Sequence, residues 1–500
     1  MAENSIPWFR DQALVDPFSP AADLHGIGTC HSLALFPWIP DSLRDLWAGD
    51  LNNDDLRDNW KAMIDQWSGT IAVGGSGKVR VFSANLSRTE LSVKIPPRPN
   101  PRGVLEPVNV HAVAWALCQE IPLEPLLVLS GGSILHIVNV KKREFIGYLR
   151  GHGGDITSIA VHPIFVHLVC TTSRDFSTRI YDLTQSPCQQ PNNLHWPLSK
   201  TPSLGGAPHG LQASEPEGTG IGRCVAVLVG GPSGGHNAPV LGATFHPEYP
   251  LIATCGLDRA VKIWRLPDLS GERLVREDKP LFSSSRIHKA RIISVSWLST
   301  DVLVTHCSQA LMRHNDQAHE VYCIDGTIAV WQWLGFDRFF PPNQPVPARI
   351  MRGCASDYQE SSSFKLLSVI PIPQSTRHMH VSHTHTGDYI VLLTLPDTLR
   401  LFNVASIPTR HAPRFPIELD SIADLAQKLH LDDDDDDESP KMAPEPRKWE
   451  VKIAEDAQNT FKLSILGHGG TLLIAGASDG KVHLWTAGGQ EKRETSMVIH

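Results

Sequence analysis

Residues 235–266 read GHNAPVLGATFHPEYPLIATCGLDRAVKIWRL, and the order of landmarks in that stretch decides the fold. Gly235-His236 opens it, His246-Pro247 follows ten residues after His236, and Asp258 stands 22 residues after the same histidine. It closes on Lys262-Ile263-Trp264-Arg265. Residues 151–183, GHGGDITSIAVHPIFVHLVCTTSRDFSTRIYDL, repeat the arrangement. Gly151-His152 leads to His162-Pro163 at the same offset, Asp175 falls 23 residues after His152, and Arg179-Ile180-Tyr181-Asp182 ends the copy. Matched offsets at three landmarks mark an internal repeat, which outranks any single motif in setting the architecture. Between the landmarks, Leu251–Cys255 is a short apolar run, and Ala260–Trp264 alternates faces as a strand does.

Working outward, weaker copies follow in order. Ile71–Gly75 with Lys78–Ser83 close a first unit, and Val110 through Val140 form a second. His288 to Trp331 is a fifth, with a loop inserted near Ser308–Glu320. Phe364–Val404 is a sixth, and Gly467-His468, Ser478-Asp479-Gly480 and His483-Leu484-Trp485 are a last. Seven units of this kind predict an all-β fold, a seven-bladed WD-repeat β-propeller with long loop insertions. One blade cannot bury both its faces, so neighbours must stack around a ring. The recurring residues are read as structural. The histidine donates to the turn aspartate, and a strand threonine and the tryptophan indole extend the chain, because each unpaired buried polar group costs about 1–3 kcal/mol. His152, Asp175, His236, Asp258, Trp264, His468, Asp479 and Trp485 are the residues expected in these networks.

Composition narrows the function classes. The 500 residues carry 45 Lys+Arg against 53 Asp+Glu, a net charge of −8 that speaks against a DNA-coating protein. Residues 432–438 hold seven of the acids and residues 41–66 a net −4, leaving the rest slightly basic at +3. No apolar run is long enough for a membrane span, and the first residues lack a secretory signal's pattern. The nine cysteines include no CxxC pair, so free thiols in a reducing compartment are expected.

The expected organisation is an N-terminal segment, 1–26, placed to close the ring, a propeller over 27–487, and a tail over 488–500. Insertions are expected at 41–66 (polar and partly helical, in blade one), 184–234 (between blades three and four), 335–363 and 405–449. The acidic run 432–438 reads as a solvated loop or as a dock for a basic tail.

The segment Leu126–Gly132 through Val138-Asn139, Tyr148 and Arg150-Gly151-His152, the string CGLDRAVKIWRL (255–266) and HKARIISVSWLSTDVLVTHC (288–307) resemble the EED, or extra sex combs, family of Polycomb proteins. That resemblance implies a non-catalytic core subunit of Polycomb repressive complex 2, located in the nucleus, without cofactor, metal, membrane or direct DNA contact. It further implies one propeller face holding a helix of a SET-domain histone methyltransferase. The other face would hold a trimethyl-lysine of a histone H3 tail in an aromatic cage, whose occupancy activates the enzyme. Ring faces attract a quaternary ammonium by roughly 0.5–2 kcal/mol each. The positions here that match the cage are Ser32, His111, Arg377 and His378, none of them aromatic in the sense of Phe, Tyr or Trp. The expectation is a surviving scaffold role with weak or lost trimethyl-lysine reading. Rival readings are another WD-repeat adaptor, such as a ubiquitin-ligase substrate receptor or a different chromatin scaffold, and an enzyme built on a propeller.

Other motifs are better explained as structure. Gly231–Gly235 fits GxSxG without a strand-turn-helix context. Gly74–Lys78 suggests a phosphate loop, but Val79 stands where Ser or Thr would hold magnesium. The histidines His378, His380, His383 and His385 lack a Cys or carboxylate nearby to complete a zinc site. Lys141-Lys142-Arg143 reads as a solvated turn.

Overall fold

The computed structural model describes residues 18–24, 29–47, 53–82, 89–99, 102–118, 121–189, 216–230, 234–267, 269, 274–313, 321–346, 354–372, 374–384, 387–407, 449–452, 460–478 and 480–487. Seven sheets of four or five strands, antiparallel except where Val275–Glu277 joins Arg223–Leu228 in parallel, follow one another along the chain, and their innermost strands touch in order until the seventh meets the first. Blade four shows the pattern. Val240–Phe245 lies innermost, Leu251–Gly256 and Val261–Arg265 pair outward, and Phe282–Ser284 forms the rim. Its second strand is buried along its whole length, as a strand sandwiched between neighbouring blades must be.

The ring is latched by the chain's two ends. Phe18–Leu24 pairs antiparallel with Val482–Ala487 and so supplies the outer strand of blade seven. This strand falls within the N-terminal segment 1–26. This pairing removes the open edge that an unclosed sheet would present.

Two of the insertions and one blade boundary sit differently from their expected places, and one physical reason covers them. The landmarks lie on the inner three strands, so an outer strand after a long insertion carries no signal. Residues 184–234 do not separate blades three and four. The outer strand of blade three, Arg223–Leu228, pairs with Thr178–Asp182, placing the insertion inside that blade. Within it, Gly218–Gly220 adds a fifth strand to blade two. Phe364–Ile372 is the outer strand of blade five, paired with Gly326–Trp333, and does not open blade six. Blade six begins at His378–His383 and ends at Trp449–Lys452, so the insertion at 405–449 is internal to it. The acidic run 432–438 and the tail 488–500 lie outside the described residues.

Residues 41–66 depart most in character. They hold two helices, α1 (Ser42–Leu46) and α2 (Asp54–Trp67), between the first two strands of blade one. Asn53 caps α2 by accepting a hydrogen bond from the Leu56 backbone N–H at 3.1 Å, and Asp54 and Asp55 favour its N-terminal dipole. The segment is not simply polar. Trp60, Met63, Ile64 and Trp67 are buried in one cluster with Leu127 and Val138 of blade two. Trp60 packs edge-on against Trp47 and donates its indole N–H to the Pro40 carbonyl.

Candidate functional site

The first-strand ends of the blades surround a central cavity of about 720 Å³. His31, Ser32, His111, Asp155, Arg174 and His378 are among its lining residues. The ring thus brings together three of the four positions expected from the sequence. Arg377 is exposed and absent from the lining, its backbone N–H spent on the Thr394 carbonyl at 3.0 Å.

None of these positions carries a Phe, Tyr or Trp ring. Ser32 donates its hydroxyl to the Val110 carbonyl at 2.8 Å and packs against Gly74. The aromatic partner of His111 is instead His31, edge-on at 5.6 Å, a residue the sequence comparison passed over for its neighbour. Burial lowers the pKa of both rings. For His111 the Asp155 carboxylate partly opposes this and Arg174 adds to it, while His111 and Lys462 push His31 down further. His378 is held at about 4 by burial, against the pull of a hydrogen bond to the Ser464 backbone. The mouth at neutral pH therefore carries neutral imidazoles with Arg174 and Asp155 as its charges. Among the described residues, no group of three or more His, Cys, Asp or Glu is placed to hold a metal ion.

The histidine networks take the following form. His236 Nδ1 donates to Asp258 at 2.9 Å, the Thr254 hydroxyl donates to His236 Nε2 at 2.8 Å, and Trp264 Nε1 donates to Thr254 at 2.9 Å. His152 meets Asp175 at 3.0 Å and Thr171 at 2.7 Å, with Ser177 adding a hydroxyl to Asp175 at 2.7 Å. Burial lowers the pKa of both histidines and keeps their rings neutral. Burial would raise Asp258, but His236 and the Asn237 backbone outweigh it and hold the carboxyl at about 2. A neutral imidazole and an ionised aspartate buried at a blade turn make a fixed brace, not a proton relay.

Blade five carries a third network that the sequence reading missed. His288 bonds Thr327 at 2.8 Å and Thr305 at 2.7 Å, and Trp331 donates to Thr305 at 3.2 Å. Thr327 replaces the aspartate, so the landmark was invisible, although the His288-to-Thr305 spacing was there to find. His468 is a correction. It follows the innermost strand Phe461–Gly467 of blade seven, whereas His152 and His236 precede theirs. It therefore lies at the opposite end of its blade from the second-to-third-strand turn; Asp479 lies outside the described residues. Trp485 is buried on the third strand of that blade, beside Phe461 and His483.

Comparison with known proteins agrees with this architecture. A family model described as "WD domain, G-beta repeat" matches residues 143–182 and 222–265. The Polycomb protein EED of Chaetomium thermophilum is 23% identical over 270 residues, covering 53% of this chain and 38% of that protein. The Polycomb group protein FIE1 of Zea mays is 29% identical over 162 residues, 32% of this chain and 27% of that one. The matched region thus spans well under half the length of either relative. A chain of the Chaetomium thermophilum Polycomb Repressive Complex 2 bound to GSK126 superposes with a TM-score of 0.57 at 15% identity, covering 95% of this chain and 99% of that one. The chain is a seven-bladed WD-repeat β-propeller that resembles the EED and extra sex combs family of Polycomb proteins.

Proposed function

We propose that this chain is a non-catalytic scaffold subunit of a Polycomb-type histone H3 lysine methyltransferase complex, acting in the nucleus in transcriptional repression. The observation that carries the reading is the sequence similarity to EED and FIE1 across the repeats, on a ring matched over nearly its full length. The proposed partners are a SET-domain methyltransferase, seated by a helix on one propeller face, and further subunits of Polycomb repressive complex 2. Its mechanism is rigid positioning, with His152, Asp175, His236 and Asp258 held in structural networks that fix the blades. Trimethyl-lysine reading at the cavity is weak or lost. Neutral His111 and His378 are poor platforms for a quaternary ammonium, and Ser32 offers none.

One experiment tests both parts. Affinity purification from nuclei is expected to recover a SET-domain methyltransferase with this chain. Adding a trimethylated H3 peptide is expected to leave that complex's methylation rate unchanged. Recovery of ubiquitin-ligase subunits without a methyltransferase would overturn the scaffold assignment, and a peptide-stimulated rate would overturn the loss of reading.

A further inference from the structure

Antiparallel strands reverse direction at each turn, so the second-to-third-strand turns of all blades leave the ring at one end. Arg174, in that turn of blade three, lines the cavity mouth and fixes which end it is. Three consecutive blades present exposed apolar side chains there. Blade three offers Phe176, 41% exposed and held at φ 69°. A bulky side chain in the left-handed region is a true outlier, and this one still leaves two-fifths of its surface open to solvent. Blade four offers Leu257, 43% exposed. In blade five the turn grows into a hairpin, Ala310–Arg313 with Val321–Ile324, on which Leu311 is 75% and Tyr322 40% exposed. A two-stranded hairpin with no layer over it is marginal in water.

Cations accompany these apolar groups. Arg174 and Arg259 are exposed in the same turns as Phe176 and Leu257. Arg291, also exposed, donates Nε to Ser308 Oγ at 2.8 Å at the foot of the hairpin. The turn aspartates do not neutralise them, because Asp175 and Asp258 turn inward onto His152 and His236. Asp155 and Asp325 are carboxylates on the same arc, and Glu360 is paired with Arg286.

We propose that this arc of blades three to five is a docking surface for an extended peptide that combines acidic and apolar residues. Its apolar side chains would cover Phe176, Leu257 and the hairpin, and its carboxylates would meet Arg174, Arg259 and Arg291 in the bidentate geometry that guanidinium favours. The occupant is of opposite charge to a histone tail, so the surface is additional to the scaffold role and does not depend on it.

The test is fluorescence polarisation of the full chain with a fluorescein-labelled decapeptide, EELDDFEELD. Micromolar binding is expected, with at least tenfold weaker binding of KKLKKFKKLK and of an all-glutamate decapeptide. The pair Arg174→Glu and Arg259→Glu is expected to weaken binding about tenfold. Phe176→Asn places a residue tolerant of the left-handed region in that turn, so it is expected to raise Tm while also weakening binding about tenfold. Equal binding of the basic or all-glutamate peptide, full competition by a single-stranded oligonucleotide, or affinity unmoved by these substitutions would overturn the proposal. A lowered Tm for Phe176→Asn would do so too, since it would make the phenyl ring a packing group.

Discussion

At the scale of single residues, the chain Trp264–Thr254–His236–Asp258 uses every polar hydrogen it contains. Thr254 is its hinge, accepting from the indole and donating to the imidazole. Thr254→Val keeps the shape but strands both neighbours in a dry site, at about 1–3 kcal/mol for each. The variant is expected to lose about 3 kcal/mol in urea unfolding, and Asp258→Asn, which keeps an acceptor, about 1 kcal/mol. Equal losses in the two would show that the hinge role is wrong. Networks of this kind were legible in blades three and four because offset and residue type recur together. In blade five the type changed to Thr327, and in blade seven the Gly467-His468 pair kept the type at the wrong place in the strand order. Offset from the strand, more than the dipeptide itself, carries the information. The cavity residues were legible only in part. His111 and His378 do reach the mouth, but an adjacent-residue ambiguity on the first strand decided between Ser32 and His31.

At the scale of elements, α2 turns what composition presents as an acidic excursion into part of the core. Its acids lie outward, and Trp60, Met63, Ile64 and Trp67 repeat on the face that meets blades one and two. Truncating the buried ring in Trp60→Ala is expected to cost about 3–5 kcal/mol. Asp58→Ala, on the exposed face, is expected to stay within about 0.5 kcal/mol. Similar small losses for both, measured by denaturant unfolding, would return the helix to the status of a surface loop. The outer strands hid from the sequence for a different reason. Arg223–Leu228, Phe364–Ile372 and Trp449–Lys452 each follow a long insertion, and an outer strand needs only apolar alternation, which many connectors imitate.

At the scale of the whole molecule, buried histidines tie stability to pH. Burial holds His136, His162, His246 and His378 at about 4 and His288, His306 and His380 at about 3. In the unfolded chain the same rings titrate near 6.5. Between these values the unfolded state binds more protons than the folded one, so stability falls as pH drops through that window. Asp258, depressed to about 2, contributes stability above its unfolded value of about 3.9, lost only in stronger acid as pH falls toward 2. Tm is therefore expected to drop steeply from pH 7 to pH 5, well before carboxylates protonate. A Tm flat across that interval in scanning calorimetry would contradict the burial of these rings.

The pairing of Phe18–Leu24 with Val482–Ala487 gives this ring a built-in check on completeness. A ribosome emits the first strand of the latch long before its partner exists, and for nearly all of synthesis the growing array exposes an unfilled edge. Such a long-range contact is made last and slowly. A chain truncated before Val482 would hold six good blades and a seventh without the strand that Phe18–Leu24 pairs with, a species prone to pair edges with its own kind. For such a truncated chain the open edge makes aggregation, and not a partly formed ring, the expected outcome.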